Sequence, residues 1–288
     1  MLLVWALAQS PVAVAGPEIS IVQGASSFRF VDSQGDRTRE ITVFAYLPAR
    51  VKAKEAPIVF VLHGHHRTAQ GYRDDWAQHA EKYGFMVLAP LFDAETWGSG
   101  EYSYASVIGR DGKIRDASKW SYTVIERLFD AVKAATGNES SRYLLYGFSE
   151  GGQFVHRLVL LLPTARYAKA VAANPGWYMM PRFDIKFPYG LDGSPVTEAS
   201  LKTSLGRDFV LMLGDRDTDP DDPEVRKTRQ ALAQGANRLE RGRAFFTEAE
   251  ARATEMDVAL GWRVRIVEGA AHESRKMSGP AAAVLTQP

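Results

Sequence analysis

The sequence predicts an α/β fold: a doubly wound, mostly parallel sheet with an antiparallel hairpin at its N-terminal edge. After residue 57 the chain carries a series of short apolar runs, which are typical of strands buried on both faces of a parallel sheet. Helical patterns separate most of these runs, and that alternation favours a doubly wound sheet. The 288 residues, 45% of them hydrophobic, suffice for one such domain with a substantial core.

Each element follows from a local pattern. Phe28–Val31 and Ile41–Leu47 alternate apolar and polar residues about a turn that contains glycine, which predicts the hairpin. The predicted buried strands are Ile58–Leu62, Phe85–Ala89, Tyr143–Tyr146, Ala168–Ala172, Phe209–Leu213 and Trp262–Val267. The predicted helices are Tyr72–Tyr83, Tyr122–Ala135, Gly152–Leu161, Pro223–Ala233 and Glu248–Ala259. No repeat or linker interrupts this order, so residues 16–288 are expected to form a single domain.

One connection is far longer than the others. Residues 175–207 span roughly thirty positions, whereas connections in such folds usually take two to six. Loops of that length are usually functional or disordered, and this one is rich in aromatic residues. We expect it to form a small cap-like insertion beside the functional site.

The N-terminus resembles an export signal. Leu2–Ala8 is a short apolar run, and Ala13, Val14 and Ala15 before Gly16 match a small-residue cleavage site. The pattern predicts a signal peptide over residues 1–15 and a secreted or periplasmic protein. No Lys or Arg precedes the run, so the alternative is an apolar first segment on a cytoplasmic protein. The run is too short to span a bilayer, and no stable membrane insertion is expected.

Composition excludes several classes of function. The net charge of +1, without basic runs, gives no electrostatic footprint for nucleic acid. The chain has no cysteine, which excludes disulfides, thiolate catalysis and cysteine-ligated zinc.

The strongest motif follows the strand Tyr143–Tyr146. Residues 147–151 read Gly-Phe-Ser-Glu-Gly and match G-x-S-x-G, with a helical pattern beginning at Gly152. A serine between strand and helix is presented on a strained turn that tolerates only small neighbours. The strand–turn–helix context therefore predicts Ser149 as a nucleophile, against the alternative of a glycine-rich structural turn.

A serine nucleophile needs a base to take its proton. In strand–turn–helix sites of this kind the acid and then the histidine follow the serine along the chain. Only His156 and His272 follow Ser149. His156 lies within the next helix and is expected to be packed or at its solvent edge. His272 follows the last strand, in a loop that can reach across the sheet edge, and is the predicted base.

Three aspartates compete for the role of the acid that orients the histidine. Asp215, Asp217 and Asp219 follow the strand Phe209–Leu213. Asp217 has the favoured G-x-x-D spacing, Asp219 is second, and Asp215 is expected to be a solvated charge. A calcium loop is disfavoured because Pro220 stands where an EF-hand needs glycine.

The loop after Ile58–Leu62 reads His63-Gly64-His65-His66-Arg67. Acyl transfer requires N–H donors aimed at the developing oxyanion. We predict that the backbone N–H groups of His65 and Glu150 supply them. Three close histidines also suggest a metal site, which we disfavour because no distant carboxylate completes it; no metal is expected.

Taken together, these residues resemble the α/β-hydrolase superfamily over essentially the whole predicted mature chain. The hairpin, the HG-x loop and the G-F-S-E-G-G elbow are similar to secreted bacterial esterases related to polyhydroxybutyrate depolymerases and feruloyl esterases. The resemblance implies a serine esterase without a cofactor, acting on a small-molecule or polymeric ester. It assigns the roles above to Ser149, Asp217, His272, His65 and Glu150.

Aromatic residues near the predicted ligand edge of the sheet are candidate substrate contacts or, equally, loop core. They are Trp97, Tyr102, Trp177 and Tyr178. Two other functions remain open, a non-catalytic binding protein and an amidase or peptidase acting on peptide-like or acidic polymers. Basic residues that would serve the acidic-polymer function, or simply lie on the surface, are Arg67, Arg73, Arg182 and Lys186.

Overall fold

An eight-stranded sheet runs through residues 19–287, the part of the chain that the computed structural model describes. The predicted signal peptide, residues 1–15, lies outside the described residues. The strands are β1 (Gly24–Asp32), β2 (Arg39–Leu47), β3 (Ile58–Leu62), β4 (Met86–Pro90), β5 (Tyr143–Phe148), β6 (Tyr167–Ala173), β7 (Phe209–Gly214) and β8 (Trp262–Val267). Their order across the sheet is β1-β2-β4-β3-β5-β6-β7-β8.

The pairing confirms the predicted architecture. β1 pairs with β2 and β2 with β4 in antiparallel fashion, and all other neighbours are parallel. The hairpin therefore forms one edge. β3, β4 and β7 are buried at every position, as the continuous apolar runs predict for a sheet covered on both faces.

Helices cover both faces. They are α1 (Ala69–Tyr83), α2 (Ser99–Tyr102), α3 (Tyr122–Thr136), α4 (Glu150–Leu161), α5 (Glu198–Leu205), α6 (Arg229–Leu232), α7 (Arg238–Glu255) and α8 (Ser274–Thr286). On one face, Trp76 of α1 and Met277 of α8 share a core with the residues of β3, β5 and β7 that point to that face. On the other, Leu128, Phe154 and Phe245 bring α3, α4 and α7 into a second, larger core.

Two helix predictions are wrong and three helices were missed. Residues 223–233 hold only the single turn α6, because Val225 is buried while Pro223, Glu224 and Arg226 line a cavity. The predicted helix Glu248–Ala259 begins ten residues earlier, as the N-terminus of α7 is at Arg238. Its N-cap is Asn237, whose side chain accepts a hydrogen bond from the Glu240 N–H. The helices that were not predicted are the single turn α2, α5 within the cap-like segment, and the C-terminal helix α8.

The fold brings the C-terminal ends of the parallel strands to one edge of the sheet. The loops after β3, β5, β7 and β8 meet there, and these are the loops that carry the predicted site residues. Across residues 19–287, none of the helices has both the length and the apolar character needed to cross a membrane.

Candidate active site

Ser149 stands at a sharp turn between β5 and α4. Its backbone angles, φ 55° and ψ −113°, lie in a strained region that L-residues rarely adopt. A Cβ on Gly147 would lie 2.1 Å from the Gly151 carbonyl oxygen, and one on Gly151 would lie 2.3 Å from that of Leu62. The G-x-S-x-G pattern is thus a packing requirement, because the turn presses backbone against backbone.

The structure brings Ser149, His272 and Asp217 into one hydrogen-bonded chain. Nδ1 of His272 donates to Asp217 Oδ2 at 2.7 Å, which leaves Nε2 to accept from Ser149 Oγ at 3.0 Å. His272 packs against the Phe148 ring, with centroids 4.7 Å apart, and keeps 15% of its side chain exposed. This is the arrangement in which an imidazole can take a serine proton while a carboxylate fixes its tautomer.

The three competing aspartates have distinct surroundings. Asp217 is 5% exposed, and its Oδ1 accepts from Nη1 of the buried Arg238 at 3.2 Å. Asp219 is exposed and caps its own turn by accepting from the Asp221 N–H. The expectation that Asp215 is merely solvated is wrong: its Oδ1 accepts from the Gly269 N–H at 2.7 Å and ties the acid loop to the histidine loop.

Asn174, which the sequence analysis missed, joins the same two loops. It follows β6 with a positive φ of 42°, and its side chain is almost fully buried. Its Oδ1 accepts from the Gly214 N–H at 2.8 Å, and its Nδ2 donates to the Ala271 carbonyl at 3.0 Å. The position of His272 relative to the acid loop therefore depends on a side chain from a third strand. Its position after a buried strand was the only signal in the sequence.

The predicted oxyanion donors lie on either side of Ser149. Glu150 is the first residue of α4, so its N–H has no partner within the helix. Among residues 19–287, no protein acceptor is found for this N–H or for the N–H of His65. Gly64 lies against the nucleophile, with its would-be Cβ 3.5 Å from Ser149 Cβ. Two unengaged N–H groups beside a serine suit a developing oxyanion.

The histidines of the HG-x loop point in different directions. His63 is fully buried; its Nδ1 donates to the Gly64 carbonyl and its Nε2 accepts from the Phe92 N–H. Burial lowers the pKa of His63 to about 3. His65 and His66 are exposed, and His66 Nε2 lies 3.0 Å from Glu224 Oε1. In the described part of the chain, no three His, Asp or Glu side chains converge as metal ligands would.

Ser149 opens on two cavities that share His65, His66 and Glu224. The cap-side cavity, about 380 Å³, is lined further by Ser103, Tyr104, Glu150, Gln153, Gly176, Trp177, Pro223, Arg226 and Arg238. The histidine-side cavity, about 620 Å³, is lined further by Gly64, Thr68, Gly71, Tyr72, Asp75, Phe148, His272, Glu273, Ser274, Arg275 and Lys276. A substrate with groups on both sides of its scissile bond therefore has space in two directions.

Of the four aromatic candidates for substrate contact, only Trp177 lines a cavity at Ser149. Tyr102 is fully buried, stacks on His63 and donates to its carbonyl at 2.8 Å. Trp97 packs on Phe92, and Tyr178 stacks on Phe245. The substrate-contact prediction is therefore wrong for Trp97, Tyr102 and Tyr178, because these rings complete the loop core.

The cap-like segment is packed rather than raised above the site. Tyr178, Met179 and Leu191 are buried in the larger core, and Trp177 and Tyr189 form a small buried cluster, so much of the aromatic content serves packing. The four basic candidates do not face the nucleophile, since none of Arg67, Arg73, Arg182 and Lys186 lines either cavity. The guanidinium groups of the three arginines are engaged elsewhere; Arg67, for example, pairs with Glu150 and donates to the Phe92 carbonyl.

The chain is similar to two solved hydrolases over most of its length. It is 37% identical to poly(aspartic acid) hydrolase-1 from Sphingomonas sp. KT-1, covering 93% of this chain and 100% of that one, with a TM-score of 0.89. It is 31% identical to the poly(3-hydroxybutyrate) depolymerase LpqC from Bordetella parapertussis, covering 91% and 89%, with a TM-score of 0.87.

More distant structures share the fold. The S-formylglutathione hydrolase FrmB from Staphylococcus aureus is 14% identical, over 93% of this chain and 100% of that one, with a TM-score of 0.57. No protein-family model and no curated protein sequence matches the chain.

Proposed function

The chain belongs to the α/β-hydrolase superfamily and is a serine ester hydrolase, and on this premise we propose that Ser149, His272 and Asp217 form its catalytic triad. The observation that carries the proposal is the continuous hydrogen-bonded chain from Ser149 Oγ through both imidazole nitrogens to Asp217. Because the nucleophile is held on a strained turn, its oxygen is presented openly to the two cavities.

In the first step, Ser149 Oγ attacks the ester carbonyl carbon while His272 Nε2 takes its proton. The carbonyl oxygen becomes an oxyanion between the N–H groups of His65 and Glu150. Collapse of this tetrahedral species breaks the bond to the alcohol, which leaves with the proton that His272 returns. Asp217 holds the imidazole in the required tautomer and stabilises its charged form.

In the second step, water takes the place of the alcohol. His272 removes a proton from the water, which attacks the acyl-serine carbonyl, and the same N–H groups stabilise the second oxyanion. The acid is released and Ser149 recovers its proton. Every group in this cycle is protein or substrate, so the mechanism requires neither cofactor nor metal.

Either a small or a polymeric ester fits the surroundings of Ser149. Segment 175–207 contributes Gly176 and Trp177 to the cap-side wall, and we propose that it acts as a wall of the site and not as a lid over it. Beyond it lies an outer hollow of about 1240 Å³, lined in part by Phe187 and Pro188 and sharing Tyr104 with the cap-side cavity. Further units of a polyester would have space there, in keeping with the substrate named for the Bordetella relative.

An amidase acting on an acidic polymer is the second candidate function. The similarity to a poly(aspartic acid) hydrolase, over the whole length of that chain, favours it. The same triad cleaves esters and amides, and they differ in the leaving group that His272 must protonate. Rates on an ester and an amide with the same acyl group distinguish the two, and we expect the ester to be cleaved much faster.

Three further proposals concern the whole chain. We propose that residues 1–15 are a signal peptide, that residues 16–288 act as one domain, and that the protein works outside the cytoplasm. N-terminal sequencing of protein recovered from the periplasm or medium tests this, since cleavage is expected before Gly16. An uncleaved cytoplasmic protein would contradict it.

A fluorophosphonate probe tests the nucleophile directly. We expect the probe to label the wild-type protein at Ser149, while Ser149→Ala is not labelled and loses turnover by several orders of magnitude, because triad members act as a unit. Ser103→Ala, a serine on the same cavity wall, is the matched control and should still be labelled. Labelling elsewhere, or none with the folded wild type, would instead favour a non-catalytic binding protein.

A further inference from the structure

The cap-side cavity contains a guanidinium without a counter-ion. Arg226 lines this cavity and is exposed. Its Nε donates to Tyr189 Oη at 2.7 Å, and its guanidinium carbon lies 4.9 Å from the centroid of the Trp177 ring. Among the described residues, no aspartate or glutamate oxygen lies within 4.0 Å of it. The group is held in place while its two Nη atoms remain available.

A second guanidinium, that of Arg157, also lies close to the Trp177 ring. Arg157 is fully buried, with its guanidinium carbon 4.3 Å from the Trp177 ring centroid. Its Nη1 donates to the Ser103 and Gln153 carbonyls, but its Nε and Nη2 have no acceptor among the described residues, and it forms no salt bridge there. Burial lowers its pKa. A buried charge without a partner is costly, and an anion nearby would reduce that cost.

Arg238, the other arginine that lines the cavity, is already paired, with Asp217 at 3.2 Å and with Asp222 at 2.6 Å. Glu150 pairs with Arg67, and Glu224 Oε1 lies 3.0 Å from Nε2 of His66, a contact that is an ion pair only when His66 is protonated. The positive charge that remains uncompensated on this side of Ser149 therefore belongs to Arg226 at the wall and to Arg157 behind it.

We propose that Arg226 binds a carboxylate carried by the substrate, with Arg157 adding positive potential from behind Trp177. This inference rests on the proposed ester hydrolysis at Ser149 and names the substrate class: esters with a free carboxylate separated from the ester by a short apolar chain. The guanidinium presents paired donors suited to a carboxylate, and the exposed Pro223 ring in the same cavity, beside the 3% of Trp177 that is exposed, offers an apolar surface for the intervening methylenes.

Matched substrates test the subsite. The monomethyl esters of succinic, glutaric, adipic and pimelic acids are compared with the same esters carrying a terminal carboxamide in place of the carboxylate. We expect the wild type to favour the carboxylate at the best chain length by about tenfold in kcat/KM, through KM. Added salt should reduce this preference. A second series, with the carboxylate on the alcohol, identifies which part of the ester occupies the cap-side cavity.

Arg226→Gln should remove the preference by raising KM for the carboxylates about tenfold, while the carboxamides change less than twofold. Lys227→Gln removes the same charge from the next residue, which does not line the cavity, and should behave like wild type. If Arg226 merely braces Trp177 and Tyr189, its replacement will slow both substrates equally. That result, or a wild type without preference, overturns the subsite but leaves ester hydrolysis intact.

A binding measurement on an inactive variant tests the carboxylate subsite even if the wild-type protein does not hydrolyse esters. Monomethyl adipate is titrated into Ser149→Ala, and into the same variant carrying either Arg226→Gln or Lys227→Gln. We expect dissociation constants about tenfold higher with Arg226→Gln and unchanged with Lys227→Gln. Equal constants in all three proteins would overturn the proposal whether or not the wild type hydrolyses esters.

Discussion

At the scale of single residues, the two oxygens of Asp217 have separate partners. Oδ2 accepts from His272, whereas Oδ1 accepts from Arg238, which Asp222 also contacts at 2.6 Å. The carboxylate is thereby fixed from both sides, and His272 inherits that orientation. Asp219, only two residues away, is exposed and contacts neither group. The aspartates of this loop therefore have different roles, although they are the same type of residue and lie two positions apart.

Replacing each aspartate by asparagine separates their roles. Asp217→Asn removes the acceptor that selects the His272 tautomer, and by analogy with the serine-protease triad turnover should fall by up to about 10⁴-fold. Asp219→Asn should cost less than about tenfold, because only a turn within the loop is disturbed. Steady-state kinetics on one ester, with melting temperatures to detect unfolding, give the comparison. A dead Asp219→Asn beside a nearly normal Asp217→Asn would contradict the assignment.

At this scale, a functional residue could be predicted from the sequence only where the pattern that marks it lies close to it along the chain. Ser149 lies in a contiguous motif, and Asp217 and His272 follow strands at typical distances, so these positions could be found without coordinates. Asn174 and Arg238 could not, because their partners lie about forty and about twenty positions away and no motif marks them. Tyr102 was misread because an aromatic ring beside a site looks the same in sequence whether it faces substrate or core.

At the scale of secondary-structure elements, the turn between β5 and α4 is built by backbone contact. The missing side chains at Gly147 and Gly151 allow the start of α4 to lie directly against the end of β5 and against the Leu62 carbonyl of β3. This contact fixes the nucleophile relative to the HG-x loop, since the loop follows β3 and Ser149 follows the neighbouring strand β5. The strain at Ser149 is therefore held by the packing of whole elements together with its backbone hydrogen bonds, in which its N–H donates to the Ala173 carbonyl and its carbonyl accepts from the Gln153 N–H, both at 2.9 Å.

A single methyl group tests that contact. In Gly151→Ala the new Cβ would lie 2.3 Å from the Leu62 carbonyl oxygen, so the helix or the strand must shift. We expect a loss of about 1–3 kcal/mol in unfolding free energy, as for other overpacked sites, together with reduced turnover. Gly71→Ala, in α1 with no atom within 4 Å of the new Cβ, should be neutral or up to about 1 kcal/mol stabilising. Urea unfolding measures both; equal stabilities would contradict the packing argument.

The elements themselves were predictable where hydrophobic pattern decides their structure. All eight strands were expected, the two hairpin strands from alternating apolar and polar residues and the other six from apolar runs that are short and bounded. The expectation that Trp262–Val267 is a buried strand is wrong, because β8 lies at the edge of the sheet and only Trp262 in it is buried. The predicted helix starts later than α7 because the first turns of α7 carry several arginines. Two of them, Arg238 and Arg241, are buried and form hydrogen bonds to polar groups. Residues 223–228 read as a helix but form a turn followed by irregular backbone, in which Arg226 contacts Trp177 and Tyr189, residues that the local sequence does not contain.

At the scale of the whole molecule, two buried histidines connect the site loops to the core. His63 receives the Phe92 N–H below the HG-x loop, and His156 receives the Met179 N–H below the cap-like segment. Both rings are fully buried, and burial lowers the pKa of each. The acceptor roles require neutral rings, so the loops around Ser149 are held by two groups that cannot be protonated without loss of these bonds.

This arrangement predicts that acid destabilises the fold in the range where exposed histidines titrate. The pKa of His63 is about 3 in the folded protein, against about 6.5 in an unfolded chain. Between these values the unfolded state holds a proton that the folded state does not, so stability is complete above pH 6.5 and falls as the pH is lowered. Each such histidine contributes a slope of up to about 1.4 kcal/mol per pH unit.

His63→Asn isolates one of the two contributions. Losing the acceptor for the Phe92 N–H should cost about 1–3 kcal/mol at pH 7, but the variant should lose less stability than the wild type between pH 6.5 and 4.5. Urea unfolding curves at half-unit steps measure the slope directly, and a decrease of about 1 kcal/mol per pH unit is expected. His66→Asn, which changes an exposed ring in the same loop, should retain most of the wild-type slope. If His63→Asn kept the full slope, the acid sensitivity would have to come from His156 or from the carboxylates, and the proposed dependence of the HG-x loop on a neutral His63 would be wrong.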